Sequence, residues 1–267
     1  MRVAWRKIKR QGLLWFLLFF SIIITFPYPA FSQPPDLVFE QPDLLLQKLD
    51  SHYYYPSQLG LKKLTTTIKW LQKDLVVSPP KFMSRPEVLF HWNIKSDTRV
   101  FQAASQSKSL SEAKKEEIKI FFLNYREAIL PRSLSQTLSG FKFNGTTEFR
   151  SQTIAEYQSP RDQDENQKYI LNIDSVNWRV SKFYIERKAP PYKVTSHFKY
   201  IQREGQWLVS ESRARFEVGR DSYSETTSYT YRKALGFWLP AKINQTLKKG
   251  SYEVSSYRFL LSQHQVN

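Results

Sequence analysis

The sequence predicts an α+β protein that is mainly antiparallel β: a strongly curved sheet or incomplete β-barrel with two main helices covering its concave side. Three observations lead there. From Gly140 onward, extended runs alternate with period two and are separated by short turn signals, with no helices between them to act as parallel crossovers. About ten long strands need an apolar face covered, and only two substantial helical patterns are available to cover it. Such a sheet has to curl, and the interior of a half-barrel is the natural place for an apolar ligand.

The chain begins as an export signal does. Arg2, Arg6, Lys7, Lys9 and Arg10 precede the apolar run Leu13 to Phe26, and Ala30 and Ser32 are small enough for the −3 and −1 pockets of a signal peptidase. Residues 1–32 are therefore expected to be a signal peptide cleaved after Ser32, with an uncleaved membrane anchor as the alternative. Residues 33–41, with Pro34 and Pro35, form a short tether, because proline lacks a ladder donor and constrains its neighbours. Residues 42–267 are expected to fold as a single half-barrel domain.

Pro42 stands at the first position of a helix whose face is Leu45, Leu46, Leu49 and Tyr53, and Pro56 ends the run. Leu64, Thr66, Ile68 and Trp70 alternate along one strand, and Val88, Phe90, Trp92 and Ile94 along another. A second helix is expected from Ser109 to Ile129, with a capping box between Ser109 and Glu112 and a stripe of Ile118, Phe121, Phe122, Tyr125 and Ile129. Its charged residues lie off that stripe and read as a solvated face. A short helical turn follows near Leu134 to Leu138. Eight further strands are expected, over residues 147–157, 169–174, 176–186, 192–202, 207–218, 222–232, 239–247 and 252–261. Glu204-Gly205, Gly219-Arg220-Asp221, Leu235-Gly236 and Lys249-Gly250 supply the turns, and residues 159–167 form a polar loop.

Charge and composition narrow the function. Five of the 40 basic residues lie in the signal, leaving 35 against 24 acidic residues, a net of about +11. Export removes nucleic acid as a partner and favours anionic envelope surfaces. There is no cysteine, hence no disulfide framework, no thiol nucleophile and no lipid-anchor cysteine. His52, His91, His197 and His264 show no metal-ligand spacing, and His91 and His197 read as strand-surface residues. The run from Asp162 to Asn166 begins like a calcium loop, but Gln167 stands where glycine is needed and Ile173 where a bidentate Glu belongs. No cofactor, metal or catalytic residue is expected. The sequons at Asn144 and Asn244 are treated as incidental.

Three features resemble the periplasmic LolA/LolB lipoprotein-carrier superfamily. An early helix leads into a strand pair, Arg85-Pro86 is followed by Phe90 and Trp92, and Gly236-Phe237-Trp238-Leu239-Pro240 is similar to that family's late turn into a strand. The resemblance spans most of residues 42–267 and implies an incomplete barrel with helices closing an acyl-chain cavity. It also implies that Arg85 matches the family arginine that fastens the helical lid.

The leading expectation is an exported, noncatalytic carrier or binding protein, a monomer, that takes lipid or lipoprotein acyl chains or another apolar ligand. Trp70, Phe90, Trp92, Phe121, Phe122, Trp178, Phe198 and Trp207 are the candidate wall residues, and exchange would need the helices to open. The second reading is an envelope-associated structural or interaction module, docking through Lys62-Lys63, Arg187-Lys188 and Lys248-Lys249 on anionic lipid or polysaccharide. A hydrolase with a dispersed site is the third.

Overall fold

The structure is a computed structural model and describes residues 42–104 and 110–266. The signal segment, the tether and Ser109 lie outside the described residues.

Helix α1 (Pro42–His52) starts with the proline that gives up an N–H a helix start would leave unpaired, and it buries Leu45, Leu46 and Leu49. Four strands follow: β1 (Lys63–Asp74), β2 (Lys81–Ser84), β3 (Val88–Asn93) and β4 (Thr98–Ala103). Then come α2 (Glu112–Leu123), α3 (Arg126–Ile129) and α4 (Leu134–Thr137). The rest is a meander: β5 (Lys142–Phe149), β6 (Gln152–Gln158), β7 (Asn166–Asp174), β8 (Arg179–Arg187), β9 (Lys193–Arg203), β10 (Gln206–Val218), β11 (Asp221–Ala234), β12 (Phe237–Lys249) and β13 (Tyr252–Val266).

These make one 13-stranded sheet in the order β4-β3-β1-β13-β12-β11-β10-β9-β8-β7-β6-β5, with β2 added to β1. The order ends on β4 and β5, so the sheet is not closed into a barrel. The fold class is therefore as expected, mainly antiparallel and open, with four short helices among the described residues. Two of the expected turns are two-residue hairpin loops with both residues at positive φ: Glu204-Gly205 (φ 53 and 82) and Leu235-Gly236 (φ 51 and 91).

Three strands exceed the sequence reading. Strands β2 and β4 are short, and the strand expected over 147–157 is in fact a hairpin of β5 and β6. Its turn carries neither glycine nor proline: Arg150 takes the left-handed conformation (φ 57), so the usual punctuation is missing. The long second helix is also corrected. Ser111, not Ser109, is the N-cap, its hydroxyl accepting from the Lys114 N–H at 3.3 Å, and the helix stops at Leu123. Tyr125 leaves helical geometry (φ −102, ψ 2) before α3 resumes, and its hydroxyl donates to Gln245 Oε1 at 2.5 Å.

The chain divides into two compact units. The described part of the first comprises residues 55–104, 110–132 and 227–266; that of the second, 42–54 and 133–226. The first has a core of Leu64, Ile68, Phe90, Trp92, Phe101, Phe122, Ile243 and Phe259, among others. The second centres on Leu45, Leu46 and Leu49 of α1 against Ala155, Tyr157, Leu171, Ile173 and Val180.

Candidate functional site

In the first unit, strand alternation delivers one aromatic-rich face. Leu64, Thr66, Ile68 and Trp70 point to the same side of β1, and the register of β1 against β13 sets Trp70 opposite Phe259. Phe90 on β3 faces Thr66 of β1 on one side and Phe101 of β4 on the other. Onto this face α2 lays Ile118, Phe121 and Phe122, three and four residues apart on one stripe. The result is a layer of rings. Trp70 stacks on Phe121 with centroids 4.5 Å apart and meets Phe122 edge-on at 5.5 Å. Phe122 also meets Phe101 and Phe259, each at 5.5 Å, and Tyr125 meets Phe259 at 4.5 Å. Such offset and edge-on pairs add to the energy of burying their area.

The layer has a sealed part and a rim. Phe90 and Phe122 are wholly buried, and Trp92 is 4% exposed, its indole N–H donating to Asp97 Oδ1 at 3.1 Å. Trp70, Phe121 and Tyr257 are only half-buried and lie together at the margin, with Phe121 and Tyr257 rings 5.3 Å apart. The Trp70 indole N–H is buried without a hydrogen-bond partner, and burial raises the Tyr257 pKa, opposed by the Ser255 hydrogen bond and the charge on Arg85.

Helix α2 is held by these rings and not by its charges. Lys114–Glu117 (2.8 Å), Lys115–Glu112 (2.6 Å) and Lys119–Glu116 (3.2 Å) all pair along the helix itself. The exposed charged face expected of this helix is thus present, and among the described residues it makes no ion pair to the sheet.

Five of the predicted wall residues, Trp70, Phe90, Trp92, Phe121 and Phe122, come together in this layer. The other three belong to the second unit. There the Lys48 ammonium lies 3.5 Å from the Trp178 ring centre, Trp207 donates its indole N–H to the Asn177 carbonyl at 2.9 Å, and Phe198 lies between Phe183 and Tyr200. Sequence reading missed Phe101, Tyr257 and Phe259. Phe101 sits on the overlooked β4; Tyr257 and Phe259 were placed on a strand, but their approach to Trp70 depends on a pairing between chain segments nearly 190 residues apart.

Arg85 lies between β2 and β3, exposed, with Nε and Nη2 donating to Gln72 Oε1 at 3.1 and 2.8 Å. These bonds tie it to β1, and α2 takes no part in them. Arg187, expected on the basic exterior, is corrected: it is 9% exposed, paired with Glu165, and its pKa is lowered by burial.

A second feature of the first unit is a cleft of about 110 Å³ lined by Asp97, Arg99, Arg126, Glu127 and Arg132. Its charges largely answer one another. Glu127 draws Arg99 (3.0 Å), Arg132 (2.9 Å) and Arg126 (3.8 Å) around it, fastening α3 to β4. Among the described residues no group of three or more His, Cys, Asp or Glu is placed to hold a metal ion, and no helix is long and apolar enough to cross a membrane.

No family model matches the sequence, and no curated protein matches it either. Solved structures do show a likeness. A LolA superfamily protein from Nitrosomonas europaea is 9% identical, over 84% of this chain and 93% of that one, with a TM-score of 0.31. A DUF1329 family protein from Desulfovibrio piger is 7% identical, over 84% and 92%, with a TM-score of 0.30. The Pseudomonas aeruginosa MucA/MucB complex contains a chain 9% identical, over 84% and 93%, with a TM-score of 0.20. Each is a likeness of fold.

Proposed function

We propose that this protein is an exported, noncatalytic carrier or binding protein for an acyl chain or another apolar group in the cell envelope, and that the ligand lodges between α2 and the sheet of the first unit. The observation that carries the reading is the graded aromatic layer, in which the half-buried rim of Trp70, Phe121 and Tyr257 leads to the sealed rings of Phe122, Phe101 and Phe90. An apolar chain can replace ring contacts without leaving polar groups unpaired, because α2 spends its charged side chains on itself. Each buried methylene would contribute about 0.8 kcal/mol, enough for a long chain to be retained without polar recognition. The helix lifts to admit the chain. Export rests on the basic and apolar pattern of residues 1–32.

The test is native mass spectrometry of the purified chain before and after solvent extraction, followed by titration with a fluorescent fatty acid. Co-purifying lipid and saturable binding of the probe are expected. A clean apo mass together with no probe binding would remove the carrier reading.

A further inference from the structure

The solvent face of β8, β9 and β10, in the second unit, carries a pattern of charge that packing does not require. The registers place Glu186 opposite Lys193 in one row across the strands and Lys199 opposite Glu211 in another. Both rows pair opposite charges, which is the stabilising choice for directly facing side chains. Between them lies a row of a different kind: Lys182, His197 and Arg213 face one another across three neighbouring strands, all basic. One step along, Arg215 stands opposite Thr195, on the same face. Facing groups lie about 4.5–5.5 Å apart, so Lys182 and Arg213 each stand one strand from the His197 ring, with no carboxylate in the row between them.

The row is not neutralised from within. Arg213 shares Glu211 with Lys199, at 2.6 and 3.1 Å, while Lys182 and Arg215 have no ion-pair or hydrogen-bond partner among the described residues. His197 feels both: burial first, then Lys182 and Arg215, lower its pKa. His197, Arg213 and Arg215 are exposed, and the alternate residues Val194, Ser196, Ala214 and Phe216 are buried on the other face, so the basic side chains point to solvent.

We propose that this row is a binding surface for an anionic polysaccharide, each acidic sugar setting its carboxylate among Lys182, His197, Arg213 and Arg215. The spacing suits such a chain, since neighbouring strands are about 4.8 Å apart and a single sugar ring spans a similar length. Thr195, between the charges, offers a hydroxyl for the sugar. A bilayer is the weaker occupant. Surfaces that dock on membranes add apolar side chains to their basic ones, and none of the exposed large hydrophobic residues falls on this strip. The surface is independent of the apolar layer beneath α2 and stands whether or not that layer takes a ligand.

The test is isothermal titration of the full chain with sodium polygalacturonate, with neutral dextran and with phosphatidylglycerol vesicles, at two salt concentrations. Two charge-matched triple variants are compared: Lys182→Gln/Arg213→Gln/Arg215→Gln on the strip, and Lys62→Gln/Lys95→Gln/Lys248→Gln away from it. The strip variant should lose about tenfold in polygalacturonate affinity and show a shallower salt dependence, while the control changes less than about twofold. Because exposed charges contribute little to stability, Tm should change little, and the single Arg215→Gln variant gives a smaller loss in the same direction should the triple fold poorly. Equal losses in both triples, an unaffected strip variant, or vesicles bound as tightly as the polymer would overturn the proposal.

Discussion

The two units hold their helices by different means. In the second unit, directional bonds bolt α1 to α4: the Asp50 carboxylate, 4% exposed, accepts from the Leu134 N–H (2.8 Å), the Ser135 N–H (3.0 Å) and the Ser135 hydroxyl (2.6 Å). Just beyond it, the Tyr53 hydroxyl accepts from the Val180 N–H at 2.7 Å, and the Tyr54 N–H donates to the Trp207 carbonyl at 3.0 Å. In the first unit, α2 lies on rings, with its charged groups bonded to one another. Directional bonds break when a helix shifts by an ångström, whereas apolar contact can be handed to another apolar partner. The second unit therefore has a fixed helix, and the first has one suited to exchange.

The largest expected effects probe the two attachments at their centres. Phe122→Ala, which empties a wholly buried site under α2, should destabilise the protein by about 3–5 kcal/mol in urea unfolding. Much of that loss should be recovered by saturating fatty acid if a chain can occupy the vacated space; no recovery would break the idea that this layer is replaceable. Asp50→Ala leaves three donors without their acceptor and should cost about 2–4 kcal/mol, with no recovery on adding fatty acid. Recovery there would erase the distinction between the units.

Smaller changes sharpen the comparison. Phe121→Ala at the rim should weaken a fluorescent fatty acid by about tenfold, while Trp178→Ala in the second unit should leave its affinity nearly unchanged. Ser111→Ala removes the N-cap of α2 and should cost about 1 kcal/mol, read as a lowered Tm together with faster exchange of the α2 amides.

A pH dependence also belongs to the first unit. Burial and the charge of Arg232 lower the His264 pKa to about 4, and both of its ring nitrogens are buried without partners. A histidine held neutral in the fold and free to titrate near 6.5 when unfolded contributes stability that is complete above about pH 6.5. That stability is lost as pH falls from there toward 4. The Tm of the wild type should drop across this window, and His264→Gln should flatten the slope; an unchanged slope would show that His264 is not the group responsible.

Much of this was legible in the residues, and what was not has a physical cause. Period-two alternation marked Leu64 to Trp70 and Val88 to Trp92 because one face of each is buried, and the hairpins at Gly205 and Gly236 announced themselves through the positive φ that glycine permits. The turn at Arg150 gave no such sign, since a residue with a side chain adopts the left-handed conformation there. Strand β2 has only four residues, and β4, though as long as β3, sets Val100 beside Phe101 and so shows no clean alternation. The stripe of α2 was visible, but its start was misjudged by two residues because Ser109 has Glu112 three residues on, as a capping box needs, whereas Ser111, with Lys114 there, caps through its hydroxyl alone. In the site, Trp70, Phe121 and Phe122 stood out by local period, whereas the partnership of Trp70 with Tyr257 and Phe259 is a matter of long-range register, which local spacing does not encode.

The central claim is that α2 alone is the exchangeable cover. Hydrogen–deuterium exchange of the purified chain, delipidated and then loaded with a long-chain fatty acid, reads this directly. The account predicts that amides of Glu112 to Leu123 exchange faster than those of Asp43 to His52 in the delipidated state, and that loading slows the former while the latter stay as they were. Equal protection of the two helices before loading, or a change on loading shared equally by both, would contradict it.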